Sequence, residues 1–353
     1  MTEQDFTKRL PDLTNNPLPI KPPFLFNNVS VRIFPLRANM DALQQLCDGY
    51  MNIIPPEAGR FRVSMPYVML EVLDYGEIGE STSRIGWFAQ TEVFFSIYVE
   101  WYKFVNGEYV FHDMGVITPY IFVNDNFSVP LGRTVYGFPK VLANLTEVES
   151  IWPQDPQAKV TLARLKTKVF PEAYAGKALE DQVLMEVERD APMSNFQVPP
   201  DPLSPLMPWV MASNLAKAFG GFSRDALWMA QSMRLSPVGP LSLANLQQML
   251  QGFFPALSPL GPGFITNSLN LKQFRRGDDP SKICYQSVTN GQMFTTGFNG
   301  GGLLGEERTF AGDLSGGHTI KLFEYSSLHL VQTLGLDVHR QHAGPAGVRV
   351  AEV

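Results

Sequence analysis

Cysteine is scarce: Cys47 and Cys284 are the only two in 353 residues. Two thiols make no disulfide framework, and a chain this long needs none. Both sit in apolar stretches, which reads as buried thiols. A basic balance is also missing. The 28 Lys and Arg face 34 Asp and Glu, for a net charge of −6. No Lys/Arg run is interleaved with aromatics, so a general phosphate-backbone binder is excluded. No stretch reaches the roughly 20 apolar residues of a membrane span. The opening segment, MTEQDFTKRLPDLTNNPLPIKPP, has no apolar core of signal-peptide type. The expectation is a soluble, cytoplasmic protein with no nucleic-acid or membrane partner.

Familiar catalytic signatures are absent as well. There is no G-x-S-x-G elbow, no H-E-x-x-H, no C-x-x-C and no P-loop. The glycine-rich GFNGGG lacks the spacing and the strand–helix context of a dinucleotide site. Of five histidines, only His339 and His342 are close in sequence. Two imidazoles without a cysteine or carboxylate at suitable spacing read as a solvated tail, not a metal site.

What remains is a chain with 44% apolar residues, enough for a sizeable core. Residues 1–23 read as an extended arm. Asn39 caps a short helix, MDALQQLCDGY, with Leu43, Leu46, Cys47 and Tyr50 on one face. Aromatic and β-branched runs follow at 61–75, 86–105 and 107–123, with Asn106-Gly107 as a hairpin turn between the last two. Alternation marks further strands at 158–170 and 179–192. A proline-rich connector near 192 leads into helical patterning, and β texture returns from 264 to the "GGHTIKLFEYSS" stretch. Strands, helices and strands again give one domain over 1–353, with residues 193–262 as a helical insertion.

One lysine stands out. Lys140 lies between Tyr136-Gly137-Phe138-Pro139 and Val141-Leu142-Ala143. A lysine in apolar company either snorkels, burying its stem with its head in water, or loses its proton and becomes a nucleophile. A free amine attacks a ketone to give an imine, and the protonated imine draws electrons from the neighbouring C–C bond. That chemistry needs an apolar pocket and a carboxyl group to move protons.

The segment GRTVYGFPKVLAN resembles the active-site segment of the acetoacetate decarboxylase family: G-R, an aromatic spacer, then P-K and L. PFLFNNVSVRIFPLRANMDAL and SLNLKQFRRGDDPSKICYQSV resemble other family segments, and the likeness spans roughly 20–190 and 264–335. The resemblance implies an α+β fold: a mainly antiparallel closed β-barrel or cone with peripheral helices and the helical insertion. It implies Lys140 as the Schiff-base lysine, Glu92 as the group handling protons at the imine and Glu71 as a second pocket glutamate. On local sequence alone, a strand carboxylate facing solvent stays open for both. Arg133, Tyr136, Phe138, Phe94 and Val29 fall at substrate-facing positions. Two departures matter. Val141 replaces the family's second lysine, and Val29 replaces an arginine that holds a substrate carboxylate, a fork valine cannot form.

The expected function is a carbon–carbon lyase: Lys140 forms an imine with a keto acid for decarboxylation or related C–C chemistry. Two alternatives stand beside it. One is aldol addition and dehydration of a larger carbonyl substrate; the other is a non-catalytic barrel that binds a small ligand. No cofactor is implied, because the lysine supplies the electron sink. The partners expected are a small carbonyl substrate and further copies of the chain in a homo-oligomer.

Overall fold

The computed structural model describes residues 24–80, 87–146, 160–168, 180–189, 263–296, 318–341 and 348–351. The arm at 1–23, the insertion at 193–262 and His342 lie outside the described residues.

Strands dominate. β1 (Phe24–Arg37) pairs antiparallel with β3 (Tyr67–Glu80), which pairs with β4 (Phe88–Val105), which pairs with β5 (Glu108–Val123). The β4–β5 turn is Asn106-Gly107, both at positive φ (53° and 88°), as the twist of a two-residue hairpin demands. The apolar run at 61–75 is two strands rather than one: β2 (Arg60–Val63) pairs with β4, and Ser64-Met65-Pro66 separates it from β3. On the far edge of β5, two strands run parallel to it. They are β6 (Lys140–Leu142) and β10 (Gly263–Arg275), and β11 (Ile283–Thr296) pairs antiparallel with β10.

A second sheet holds six strands in the order β13-β14-β12-β9-β8-β7. These are β7 (Asn144–Thr146), β8 (Val160–Lys168), β9 (Asp181–Arg189), β12 (His318–Phe323), β13 (Val338–Gln341) and β14 (Val348–Ala351). The chain changes sheets at one residue, Ala143, between β6 and β7.

The closed barrel expected from the resemblance is therefore corrected. Among the described residues the strands form two open sheets, and β1 and β11 end the longer path without pairing to each other. The chain leaves the first sheet at Ala143 and returns to it at β10 and β11, which extend the path past β5 without reaching β1. The sheets instead share one core, with Phe34, Leu70, Phe95 and Ile97 from the first and Ala163, Leu165, Met185 and Leu322 from the second.

Helix α1 (Met40–Tyr50) starts where expected, with the Asn39 side chain accepting from the Ala42 amide at 3.0 Å. Leu43 and Cys47 are buried against the core, with Leu46 and Tyr50 packed beside them. A short helix α2 (Ser128–Leu131) runs into a π-turn over Gly132–Tyr136. Helix α3 (Glu324–Leu334) occupies part of a stretch read as strand; β12 ends at Phe323 and Leu330, Val331 and Leu334 turn inward. Cys284 departs from expectation too: it is exposed on β11, whereas Cys47 is buried.

Candidate active site

The register of the first sheet gathers the sequence-predicted residues. Cross-strand partners share a face, and one row runs Glu71, Phe94, Ile121, Lys140 across four strands. The next row runs Leu73, Glu92, Val123, and the one after it Val29, Tyr75, Gln90. The opposite face carries Val72, Val93, Phe95 and Phe122 into the main core. The sheet is thus buried on both sides. The site side has its own apolar cluster of Leu73, Tyr75, Ile78, Phe94, Ile121 and Val123, with Val29, Phe88, Val129 and Phe138 packed against it.

Lys140 sits at the edge of that cluster and is only 9% exposed. Its Nζ lies 2.8 Å from Glu92 Oε2 and 2.8 Å from Ser128 Oγ. The ammonium is also 5.8 Å from the centroid of the Phe138 ring. Lys140 does not snorkel to water: its head is held inside by a buried carboxylate and a buried hydroxyl.

Local backbone explains the position. Asp125 Oδ1 accepts from the Phe127 and Ser128 amides at 2.8 and 3.0 Å and starts α2. Ser128, in the first turn, then faces the amine. Gly132 in the π-turn lies against the lysine stem, and a Cβ there would meet Lys140 Cδ at 2.6 Å and Cε at 2.8 Å. Gly137 takes a left-handed φ of 80° that ends the turn, and a Cβ there would come within 2.9 Å of Lys272 Cα.

Glu92 is 6% exposed and also accepts from Gln90 Nε2 at 2.6 Å. Glu71 is half-buried, and desolvation pushes its carboxyl up to about 7. The Ser96 hydroxyl offsets this in part and the Glu92 charge adds to it. Burial raises the Tyr75 and Tyr98 phenols, and the nearby carboxylates raise them further.

The remaining predicted residues divide. Phe94, Phe138 and Val29 belong to the apolar cluster beside the amine. Arg133 is exposed, and its Nε donates to the Lys140 carbonyl oxygen at 2.7 Å, so it braces β6 from outside. Tyr136 packs between Phe24 and Phe138, each ring 5.9 Å away, while its backbone oxygen accepts from the Thr289 hydroxyl. Sequence reasoning missed Ser128 and Gln90. The D-x-x-S spacing of Asp125 and Ser128 is a helix-start signal, and Gln90 keeps the strand alternation of Glu92; neither signal names a catalytic partner. A separate cavity of about 270 Å³, lined by Ile54, Trp101 and Val288 among others, contains none of these groups. Among the described residues no cluster of His, Cys, Asp and Glu is arranged to hold a metal ion, and no helix is long and apolar enough to cross a membrane.

The site is thus a buried lysine paired with a carboxylate on an apolar, strand-built floor. The chain belongs to the acetoacetate decarboxylase family, whose sequence model matches residues 13–222. Among solved structures, an acetoacetate decarboxylase from Legionella pneumophila subsp. pneumophila str. Philadelphia 1 is 13% identical, with a TM-score of 0.42 over 94% of this chain and 83% of that one. A second acetoacetate decarboxylase structure is 11% identical, with a TM-score of 0.40 over 99% and 93%. The enduracididine biosynthesis enzyme MppR, complexed with the condensation product of pyruvate and imidazole 4-carboxaldehyde, is 14% identical, with a TM-score of 0.33 over 52% and 61%. No curated protein matches the chain.

Proposed function

We propose that this chain is a Schiff-base-forming carbon–carbon lyase that works through Lys140 on a small carbonyl substrate. The observation that carries the reading is the buried Lys140 amine, 2.8 Å from both Glu92 and Ser128. Glu92 takes the ammonium proton, and the freed nitrogen pair attacks the substrate carbonyl carbon. The Ser128 hydroxyl hydrogen-bonds the oxyanion of the resulting adduct, which takes one proton from the attached nitrogen and one back from Glu92 and leaves as water, so that a protonated imine remains. In decarboxylation the bond to the carboxylate breaks, its electrons move to the imine nitrogen and carbon dioxide departs. Glu71, raised to about 7, is protonated in a large fraction of molecules near neutrality and returns a proton to the enamine carbon. Water then releases the ketone and restores the amine. Phe94, Phe138 and Val29 form the apolar wall, Tyr136 closes one side, and Arg133 holds β6 in place.

A second reading uses the same lysine for aldol addition and dehydration. Val29 favours it, because the valine packs into the apolar cluster and offers no cation to a carboxylate. The two are separated by product. Acetoacetate is followed for carbon dioxide and acetone, and pyruvate with an aldehyde for a condensation product. One of the two activities is expected in the wild type and neither in Lys140→Ala; a Lys140→Ala protein as active as wild type overturns the assignment.

We also propose, on the resemblance, a homo-oligomer and a single domain that includes the 193–262 segment. The β4–β5 hairpin supports assembly, since it leaves Phe104, Val105, Tyr109, Val110 and Phe111 exposed.

A further inference from the structure

The cavity on the core face of the first sheet plays no part in the Schiff-base reading. On β4, Val93, Phe95, Ile97 and Val99 enter the main core, and Trp101 packs against it on the same face. Phe94 lies on the other face, in the cluster beside Lys140. Val288 of β11 packs against the main core as well. Between Trp101 and Val288 about 270 Å³ is left open, bounded by Ile54, Pro55 and Ala58. An apolar cavity of roughly 150 Å³ holds a benzene ring, so this one has room for a ring with a short substituent.

Its walls are held in place by the protein's own contacts. Arg60 Nη1 donates to the Ile54 and Gly59 carbonyl oxygens at 3.1 and 2.9 Å and ties the 3₁₀ turn Pro56–Ala58 to β2. The Ala58 and Gly59 amides donate to the Pro55 and Pro56 carbonyl oxygens. The Trp101 indole stacks on the Phe61 ring at 6.3 Å and meets the His112 ring edge-on at 4.6 Å. A Cβ at Gly59 would lie 3.2 Å from Trp101 Nε1, so the N–H edge of the indole is turned toward the turn that walls the cavity. This N–H only donates. It is buried and has no hydrogen-bond partner.

A buried donor left without a partner is costly and rare in native proteins. What it lacks is an acceptor oxygen. No charged residue lines the cavity among the described residues, so a carboxylate there would be buried without a counter-ion. Asn267 Nδ2 donates to Asp113 Oδ2 and Asn290 Nδ2 to Asn267 Oδ1, each at 2.8 Å, which leaves Asn290 Oδ1 at the cavity rim to accept from an N–H or O–H of the same occupant. We propose that this cavity is a second small-molecule site, for a neutral, ring-sized apolar molecule whose carbonyl oxygen accepts from Trp101 Nε1. The site is independent of the chemistry at Lys140.

The probes are benzamide, benzoate and isopropylbenzene, which share one size and shape and form no imine with a lysine. Each is titrated into the isotope-labelled full chain while the indole N–H signals are followed by NMR. Trp101→Phe identifies the Trp101 signal by its loss. Benzamide is expected to move that signal downfield to saturation, and benzoate to bind about tenfold more weakly or less. Ligand-observed titrations of Trp101→Phe are expected to show benzamide losing about fivefold more affinity than isopropylbenzene, the worth of one net hydrogen bond. Ala58→Phe, at an exposed position on the wall, fills the cavity from outside without disturbing the core and is expected to abolish the shift. A Trp101 signal that benzamide leaves unmoved overturns the proposal. Benzoate binding as tightly as benzamide, equal losses of both neutral probes in Trp101→Phe, or a shift that survives Ala58→Phe each overturn it too.

Discussion

At the scale of single residues, two carboxyl groups on neighbouring strands of one sheet sit in different surroundings. Glu92 is tied to a lysine and an amide, while burial raises Glu71 to about 7. An acid whose folded pKa exceeds its unfolded value binds more protons when folded, so stability falls as pH rises between the two values. The window here runs from about 4.5 to about 7, and the loss from Glu71 is roughly 3 kcal/mol at its upper limit. Glu71→Gln is expected to flatten the decline of stability across that window, giving a protein more stable than wild type at pH 8 and close to it at pH 4. Urea unfolding at several pH values measures this, and parallel wild-type and variant curves would contradict it. Glu92→Gln keeps the shape of the side chain and removes the proton acceptor. Its turnover is expected to drop by about 10²–10⁴-fold at unchanged fold, as read by initial rates and circular dichroism.

At the scale of elements, the π-turn over Gly132–Tyr136 decides where the amine goes. Gly132→Ala puts a methyl into the lysine stem. The expected result is a large loss of Lys140 labelling with a fall in Tm of only a few degrees, because the stem can move where packed backbone cannot. Labelling equal to wild type would show that the stem does not depend on this contact. The same scale shows how much was legible in the sequence. Helix α1, the Asn106-Gly107 hairpin and most strands follow from capping, turn chemistry and alternation, which are local. Lys140 stood out because a proline and aromatics surround it, and Glu92 because of its resemblance to a family position. The contact between them joins residues 48 positions apart, which no local period encodes. Ser128 and Gln90 were not legible as site residues, because a polar residue on a strand or in a helix's first turn gains meaning only from the strand beside it. The change of sheets at Ala143 was hidden for a similar reason: β6 and β7 read as one short extended run. Helix α3 was missed where strand-like alternation passes directly into it at Phe323.

At the scale of the whole molecule, two sheets share a core while the other face of one carries Lys140 beside its own apolar cluster. That division places the Lys140–Glu92 pair on a sheet face apart from the main core. Assembly is expected to cover the β4–β5 hairpin. Light scattering after size exclusion should give a mass above that of one 39.4 kDa chain, and Val110→Asp with Phe111→Asp should lower it; a monomeric wild type would end that proposal. The central claim, that Lys140 is a nucleophile, is tested most directly by reductive trapping. The protein is incubated near neutral pH with acetoacetate or pyruvate, reduced with borohydride, digested and mapped by mass spectrometry. The account predicts a single dominant adduct on the peptide containing Lys140, absent from Lys140→Ala. Labelling of Lys140 no greater than that of exposed lysines such as Lys282 would contradict it.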